Sequence, residues 1–422
     1  MGPSHARRRL LRFGLVALAA HAAARAWPRA PVGDAVAAPA RAGEAEELTI
    51  GAIYPLSGPL AVLGDEGLRG LELAVEERNA AGGVLGRRLR LLKADATDPA
   101  AAAGEAKRLI GERAGVLFGT HSGALSLAAA QTAELAGTPY FELCAGADAL
   151  TERGLRGLFR TCPTNAALGA AAVDAVAEVL APLWGRPPAG VRVALLHRDG
   201  TDGTGIADAQ LARLQVRGMV LADRVPYMRD TADLQPILQR LRAAEAEVVL
   251  HAGGAGDAAP LFGQMHRLGW RPRMVVGAGS AYASADPAAV GPDLDGAMAV
   301  DLAAYAAREE ACPGAGAAAA AYEKRYGMKP RSGASLATLV GARVALDALH
   351  RAGGTAPERV RAAVLAADVP AGGTAAGWGV RFDERGQNGR ARPVLVQWQD
   401  GAPVSVGPEA VAMAPPRARL GA

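Results

Sequence analysis

The chain has 422 residues, of which 50% are hydrophobic and 21% are charged, so it is ordinary globular material that is long enough for two domains. Its net charge is +4, but the first 26 residues contain five arginines and no acidic residue, so the net charge becomes −1 without them. A near-neutral remainder argues against a basic nucleic-acid-binding surface, and we expect no nucleic-acid partner.

The N-terminal segment has the three parts of a secretory signal peptide. A basic start, ARRRLLR, precedes an apolar run over 13–20 and a small-x-small triplet at 24–26. The apolar run is too short to span a bilayer, which takes about 20 residues. No cysteine precedes Cys144, so a lipid anchor is not expected. We predict a signal peptide over 1–26, then a disordered leader over 27–47, and a periplasmic location without lipid attachment.

The stretch from Leu48 to Gly83 begins the folded part. LTIGAIY is typical of a buried strand, a Ser/Gly/Pro loop follows, and apolar residues then recur at helical spacing. A strand that leads into a helix through such a loop places free N–H groups and the positive end of a helix dipole at the carboxyl edge of a sheet. This pattern predicts a site for a small polar or anionic ligand, with Ser57 as a candidate contact.

Strands and helices alternate along the rest of the chain, which favours parallel sheets covered by helices. Each predicted strand is a short apolar run; the runs are LRLLKADAT, GVLFGT, TPYFELC, VRVALLH, MVLADRVPY, EVVLHAGG and RMVVGAG. Helical patterns lie between and after them, over 100–113, 125–136, 166–184, 205–217, 232–244, 258–268, 317–326, 335–352 and 357–367. The pattern therefore predicts an α/β protein with two open sheets.

The run NAAGGVLGRRL, a following strand and the turn Asp98-Pro99 carry a resemblance. With LTIGAIYPLSGP before them and LFGTHSGALS, TPYFELCAGADALTERG, LLHRDGTDGTG and GVRFDERGQNG after them, they resemble the type I periplasmic binding proteins. The likeness is to the branch of leucine/isoleucine/valine, urea and amide receptors. It implies two Rossmann-like lobes joined by a three-crossover hinge, the Venus-flytrap fold. The implied division is lobe 1 over 48–164 and 297–373, lobe 2 over 165–296 and 374–407, and a flexible tail over 408–422.

The resemblance also implies a function. Such receptors capture a small polar, carboxylate- or amide-bearing ligand by hinge closure and deliver it to the membrane permease subunits of an ABC transporter. The same fold also serves as a ligand sensor in signalling or regulatory systems, and the sequence leaves this alternative open.

Candidate contacts on the first lobe lie in the loops after its strands, because ligands collect beyond the carboxyl ends of strands in open α/β sheets. After GVLFG come His121, Ser122 and Gly123. Either this loop offers N–H groups and a hydroxyl to a carboxylate or amide oxygen, or Ser122 is simply a helix N-cap. By resemblance, relatives hold their ligand from this loop and from the loop after the next strand.

That next loop contains Cys144, Ala145 and Gly146. Amino-acid receptors of the family commonly have a threonine in place of Gly146, so an α-amino acid is disfavoured as the ligand. A nucleophilic role for Cys144 has no positioned base to support it. The pairing of Cys144, Cys162 and Cys312 cannot be chosen from the sequence, although one disulfide is possible.

Candidate contacts on the second lobe are Asn165, Asp202, Gly254, Gly279 and Tyr282. By resemblance, Asp202 lies where relatives often have an aromatic residue. Gly254 and Gly279 stand where leucine receptors have an aromatic residue and a glutamate, which leaves extra room and no anionic partner for an ammonium in that loop. We therefore expect a ligand other than leucine, either larger or without an amino group.

No motif supports catalysis or a cofactor. The chain has no P-loop, H-E-x-x-H, G-x-S-x-G or C-x-x-C, and its Gly-rich runs do not complete a dinucleotide fingerprint. The loop HRDGTDGTG does not fit the spacing of an EF-hand. A hydrolase that uses Ser122 or Cys144 with His121 or His251 lacks any supporting motif. We expect no enzyme, no metal and no cofactor.

Overall fold

The structure, a computed structural model, describes residues 47–421. The predicted signal peptide and all of the predicted leader except Glu47 lie outside the described residues.

The strands are short, and five of the fourteen in the described part of the chain are buried along their whole length. Their bounds are β1 Leu48–Tyr54, β2 Leu89–Asp95, β3 Leu117–Gly119, β4 Tyr140–Glu142, β5 Leu158–Arg160, β6 Arg192–Arg198, β7 Val220–Tyr227, β8 Val248–Ala252, β9 Met274–Ala278, β10 Met298–Asp301, β11 Asp368–Val369, β12 Val380–Arg381, β13 Val394–Gln399 and β14 Ala402–Gly407.

The helices lie mostly where the sequence pattern predicts them. Their bounds are α1 Ala61–Ala80, α2 Pro99–Gly111, α3 Gly123–Leu135, α4 Ala149–Glu152, α5 Asn165–Asp174, α6 Ala181–Leu183, α7 Thr201–Val216, α8 Gln235–Ala243, α9 Ala258–Leu268, α10 Ser280–Ala283, α11 Pro287–Val290, α12 Ala315–Tyr326, α13 Ala334–Ala352 and α14 Pro357–Leu365. A π-helical turn, Ala175–Leu180, joins α5 to α6.

The first sheet has five parallel strands in the order β2-β1-β3-β4-β5. Its central strands are apolar because helices cover both faces. On one face, Phe118, Phe141 and Phe159 come from neighbouring strands, with ring centroids 5.7 Å and 5.2 Å apart. The predicted parallel α/β sheet is confirmed for this part of the chain.

The second sheet has seven strands in the order β14-β13-β10-β9-β8-β6-β7. The pairs from β7 to β10 are parallel, whereas β13 and β14 are antiparallel. The sequence analysis did not predict β13 and β14. The turn between them is Asp400-Gly401, and both residues have positive φ, 55° and 81°, as a two-residue hairpin turn requires.

One boundary predicted by resemblance is wrong. The strand β10 was assigned to lobe 1, but it pairs with β9 and β13 in the second sheet. Its sequence, MAVD, is an apolar run that can fill the gap beside β9, and the backbone hydrogen bonds of that edge need a partner. The chain then leaves the second sheet, and α13 lies against α1, where an added Cβ on Gly70 would be 2.2 Å from the carbonyl oxygen of Ser335.

The predicted flexible tail, 408–422, makes specific contacts with the rest of the protein in its described part. Trp184 Nε1 donates to the carbonyl oxygen of Ala418 at 2.7 Å, and Arg417 pairs with Asp295 at 2.6 Å. Leu420 is only 4% exposed. The tail is Pro/Arg/Ala-rich, but the buried Leu420 and the ion pair of Arg417 hold it against the part of the protein that contains the second sheet.

One helical stretch among the described residues, Asn165–Leu183, is long and apolar enough to cross a membrane. Half of it is buried within the protein. It packs closely against α7, since an added Cβ on Gly169 would be 2.5 Å from the carbonyl oxygen of Ile206. These contacts explain its apolar character as that of a core helix.

Candidate functional site

The loops at the reversal points of the two sheets meet in one cleft. The strand order of the first sheet reverses between β1 and β3, and that of the second sheet reverses between β6 and β8. Ser57 and Ser122 follow β1 and β3, and Asp202 and Gly254 follow β6 and β8. All four line the same cleft, which is where open α/β sheets hold their ligands.

The cleft consists of two adjoining pockets. The smaller cavity, of about 60 Å³, has Cys144, Asn165 and Asp301 in its wall, and we call it the inner pocket. The larger cavity, of about 310 Å³, has Ser57 and Arg198 in its wall, and we call it the outer pocket. Five residues line both pockets: His121, Asp202, Ile206, Gly279 and Ser280.

The loops of the first sheet are held by one buried carboxylate, that of Glu142 at the end of β4. Its Oε1 accepts from the backbone N–H groups of Leu143, Cys144 and Ala145 at 3.0, 2.9 and 2.7 Å. Its Oε2 accepts from the N–H of Thr120 at 2.7 Å and from the hydroxyl of Ser126. Burial raises the pKa of Glu142, and these hydrogen bonds oppose the rise. Glu142 therefore shapes the loop but does not face the ligand.

The N-terminus of α3 receives a carboxylate from the second sheet. Ser122 occupies the N-cap position without a side-chain capping bond, so its hydroxyl remains available to the outer pocket. The N–H of Gly123 donates to Asp202 Oδ2 at 3.3 Å, and Asn165 Nδ2 donates to Asp202 Oδ1 at 3.1 Å. Burial raises the pKa of Asp202, and these two hydrogen bonds partly offset the rise. A protein carboxylate thus occupies a place suited to an anionic ligand.

Gly146 is a point of close contact between the two sides of the cleft. The N–H of Asn165 donates to the carbonyl oxygen of Gly146 at 2.6 Å. An added Cβ on Gly146 would lie 2.4 Å from Asn165 Oδ1, so no side chain fits here in this arrangement. This close contact explains why position 146 has a glycine here and not the threonine that amino-acid receptors commonly have.

Asp301 is a second carboxylate in the inner pocket, and the sequence analysis missed it. It ends β10, and its Oδ1 accepts from the N–H of the next residue, Leu302, at 2.6 Å. Burial raises the pKa of Asp301 to about 6. No Lys or Arg among residues 47–421 forms an ion pair with Asp301 or Asp202. The sequence could have predicted this residue, because a carboxylate at the end of an apolar strand is costly to bury without partners and is therefore a candidate for ligand contact.

His121 lines both pockets. Its φ is +100°, and its buried Nδ1 has no hydrogen-bond partner within the described part of the chain. Burial lowers the pKa of His121 to about 4, so the imidazole is neutral at pH 7. A neutral imidazole offers one donor and one acceptor to a ligand.

Gly254 does not provide the extra room that the sequence analysis expected. The Arg198 guanidinium lies against it, and an added Cβ on Gly254 would be 2.0 Å from Arg198 Nη1. Arg198 pairs with Asp257, which also accepts from the N–H of Gly254 at 2.7 Å. Its Nε is buried without a partner in the described structure. Arg198 was not among the predicted contacts, although it ends a strand at the cleft edge.

Three predicted contacts do not line either pocket. Gly123 and Ala145 contribute only their N–H groups to carboxylates of the protein. Tyr282 is 2% exposed, and its hydroxyl bonds to Nδ1 of His251 at 2.9 Å. Nε2 of His251 lies 2.8 Å from the hydroxyl of Tyr227, so His251 is a satisfied buried residue. The remaining predicted contacts line one or both pockets: Ser57, His121, Ser122, Cys144, Gly146, Asn165, Asp202, Gly254 and Gly279.

The surroundings of the three cysteines indicate packing roles and not a reactive thiol. Cys144, Cys162 and Cys312 are buried and unpaired. Cys144 Sγ lies 3.0 Å from Thr338 Oγ1, and burial raises the pKa of its thiol. A thiol in these surroundings is a poor nucleophile. Residues 47–421 contain no group of three or more His, Cys, Asp or Glu side chains that could hold a metal ion.

Comparison with known proteins gives consistent results. A family model described as periplasmic binding protein matches residues 47–402. The Leu/Ile/Val-binding protein homolog 8 of Brucella suis is 40% identical over 390 residues, which cover 91% of this chain and 96% of that protein. The Leu/Ile/Val-binding protein homolog 7 of Brucella abortus is 40% identical over 383 residues, covering 90% and 95% of the two chains.

Solved structures agree in fold. A leucine binding protein from Thermotoga maritima has a TM-score of 0.73 at 22% identity and covers 86% of this chain and 98% of its own. A solute binding protein from R. palustris in complex with benzoate has a TM-score of 0.71 at 22% identity, with 89% and 99% covered. At this identity the likeness shows the fold alone. Taken with the family model and the Brucella relatives, the chain belongs to the periplasmic binding proteins of type I, in the branch of the branched-chain amino acid receptors.

Proposed function

We propose that this protein is the extracytoplasmic solute-binding component of an ABC importer, and that it captures a small polar ligand bearing a carboxylate or amide by closing two lobes around it. One observation carries the proposal: loops from the reversal points of both sheets line a single cleft. A ligand bound there touches both lobes at once, so its affinity depends on the closed arrangement.

The location and the partner follow from the same proposal. Relatives at 40% identity carry the name Leu/Ile/Val-binding protein homolog, and the predicted signal peptide over 1–26 supports a periplasmic location. Membrane permease subunits of the importer would receive the closed, loaded form. The proposal includes the domain division implied by the resemblance, with the end of this lobe-2 segment moved to after β10, at about residue 302.

The ligand is proposed to differ from leucine. The anion-binding N–H of Gly123 already donates to Asp202, and Gly279 has a φ of +80°, a conformation that favours glycine over the glutamate of leucine receptors. The candidate contacts are those that line the two pockets, with Ser57, Ser122 and Asn165 as the neutral hydrogen-bonding side chains. No nucleophile with a positioned base is present among them, so we propose that the ligand leaves chemically unchanged.

A ligand screen tests the proposal. Thermal unfolding of the mature protein is measured with amino acids, amides, urea, and aliphatic and aromatic carboxylates at 1 mM. A ligand that binds only the folded state at 100 times its Kd stabilises it by about 2.7 kcal/mol, which is a clear shift in Tm. Small-angle scattering then measures compaction on binding, and mass spectrometry of the released ligand checks that it is unchanged.

A pair of variants ties binding to the cleft. Ser280→Trp fills the space between the two pockets and is expected to abolish the Tm shift, whereas Ala289→Trp, on the exposed helix α11, leaves it intact. The importer role is checked by ligand-dependent stimulation of ATP hydrolysis in the reconstituted transporter. A ligand that is converted, or a bound state without compaction, contradicts the proposal, and binding without stimulation favours the sensor alternative.

A further inference from the structure

The two carboxylates of the inner pocket, Asp202 and Asp301, form no ion pair within residues 47–421. Asp301 accepts one hydrogen bond, from the N–H of its neighbour Leu302, and Asp202 accepts two, from Gly123 and Asn165. No arginine or lysine in the described structure forms an ion pair with either carboxylate. A buried negative charge without a counter-charge is costly, and two in one cavity also repel each other.

A third group in the same wall is short of a partner. His121 Nδ1 is buried without a hydrogen bond among residues 47–421, and His121 lines both pockets. Because the imidazole is neutral at pH 7, it does not repel a cation. Its free nitrogen can accept a hydrogen bond from a bound donor. Two carboxylates and a neutral imidazole around about 60 Å³ suit a small group that carries several N–H donors.

The outer pocket has a different character. Two arginines, Arg198 and Arg229, line it, together with the hydroxyl-bearing Ser57 and Ser122 and two aspartates, Asp199 and Asp202. Arg198 Nε is buried without a partner in the described protein, although its terminal nitrogen pairs with Asp257. Arg229 is exposed and forms no ion pair within residues 47–421. The two guanidinium groups and the Ser122 hydroxyl can bind an anionic ligand group at the mouth of the cleft.

We propose that the ligand is an elongated amino acid whose terminal ammonium lies in the inner pocket between Asp202 and Asp301, and whose carboxylate lies in the outer pocket near Arg198 and Ser122. An α-amino acid is a poor match because its ammonium and carboxylate are adjacent. With its ammonium beside Asp202, its carboxylate would need the N–H of Gly123, and this N–H already donates to Asp202. This inference rests on the proposed solute-binding function and specifies its ligand class.

The experiment compares matched pairs of ligands. Isothermal titration at pH 7.5 measures binding of 4-aminobutanoate, 5-aminopentanoate and 6-aminohexanoate, each against the alkanoate that lacks the amine, with L-leucine in parallel. The expected result is micromolar binding of at least one aminoalkanoate, and at least about 100-fold weaker binding of its alkanoate and of leucine, since a lost buried ion pair is costly.

Variants separate the carboxylates from the rest of the pocket. Asp301→Asn keeps the shape and is expected to weaken the best aminoalkanoate by about 30-fold or more, while changing the alkanoate little. Asp202→Asn is expected to act in the same direction. The control is Asp208→Asn, since Asp208 is on the same helix α7 with its side chain 62% exposed and paired with Arg224. Thermal unfolding of each variant checks that it is folded.

The outcomes are distinct. Tighter binding of an alkanoate or of L-leucine than of every aminoalkanoate, or an Asp301→Asn affinity within threefold of the wild type, overturns the inference. If no aminoalkanoate binds but the ligand screen finds another solute that compacts the protein, the inference fails and the proposed function stands. If no solute produces a Tm shift or compaction, both fail.

Discussion

Two carboxylates, the buried Glu142 and the half-buried Asp301, each lie at the carboxyl end of a strand, and they differ in how they are satisfied. Glu142 ends β4 of the first sheet, and donors on six residues surround it: Thr120, Ser126, Tyr140, Leu143, Cys144 and Ala145. Asp301 ends β10 of the second sheet and accepts a single backbone hydrogen bond, from Leu302. Donors of the protein surround the first carboxylate, whereas the second has one hydrogen bond from residues 47–421.

This difference distinguishes a carboxylate that stabilises the fold from one that is available to bind a ligand. Donors contributed by the protein compensate the cost of burying Glu142, so its carboxylate fixes the loops over 120–126 and 143–145. Burial raises the pKa of Asp301 to about 6, and the only hydrogen bond from residues 47–421 that opposes the rise comes from the N–H of Leu302. A carboxylate left short of donors in a cleft is a candidate for ligand contact.

The largest expected effect tests the structural side of the comparison. Glu142→Ala leaves several buried N–H groups without an acceptor, and each such group costs about 1–3 kcal/mol, so we expect a loss of about 4 kcal/mol in the free energy of unfolding. Urea unfolding measures it. Glu112→Gln, at an exposed surface ion pair, is the control and should change stability by less than about 0.5 kcal/mol. A loss of under about 1 kcal/mol for Glu142→Ala would show that the loops hold without its carboxylate.

The next effect tests how tightly the two sides meet. Gly146→Ala places a Cβ 2.4 Å from Asn165 Oδ1, so we expect about 2 kcal/mol of destabilisation in thermal unfolding. Gly104→Ala is the matched control, because an added Cβ there meets nothing within 4 Å in helix α2. That control should be neutral or stabilising by about 0.5 kcal/mol. Equal behaviour of the two variants would mean that Gly146 and Asn165 are not in contact in solution.

The pH dependence of binding tests Asp301 directly. A cationic ligand group prefers the ionised carboxylate, so affinity is full above the pKa of about 6 and falls as the pH drops below it. Between pH 7.5 and 5 we expect about a tenfold loss for 5-aminopentanoate, measured by titration calorimetry. His121, Cys144 and Asp202 line the same pocket, and His121 stays neutral in this range because its pKa is lowered to about 4. A flat profile, or one unchanged by Asp301→Asn, would assign the pH effect to another group.

The smallest effect concerns stability without ligand. Burial raises the folded-state pKa of Asp301 from 3.8 to about 6, so stability falls as the pH rises from about 3.8 to 6; the cost is complete above pH 6 and absent below about pH 3.8. The full difference between these two pKa values corresponds to about 3 kcal/mol. Because Asp301 is half-buried and lines a pocket, solvent screens part of this cost, so Asp301→Asn should gain about 1 kcal/mol at pH 7.5 and almost nothing at pH 4, by urea unfolding. This gain would accompany the loss of ligand affinity. A destabilised Asp301→Asn protein at pH 7.5 would place Asp301 with Glu142 as a structural carboxylate.

The sequence by itself predicts most elements and the class of the site. Apolar runs and helical periodicity are local properties, so helices such as Ala258–Leu268 and Ala334–Ala352 are predicted within a residue or two. The loops after strands are also local features, and nine of the twelve predicted contacts line the cleft. The antiparallel pair β13 and β14 was missed because the prediction followed only the alternation of strands and helices.

Only the tertiary structure decides the charge arrangement of the cleft. Gly123 and Asp202 are 79 residues apart in the chain and meet across the two sides, and Asp301 reaches the same pocket from a strand that the sequence assigned to the other lobe. Whether a carboxylate is satisfied depends on donors from distant segments, as the comparison of Glu142 with Asp301 illustrates. Local pattern carries no information about such partners, because burial and hydrogen bonding are set by the packing of whole elements.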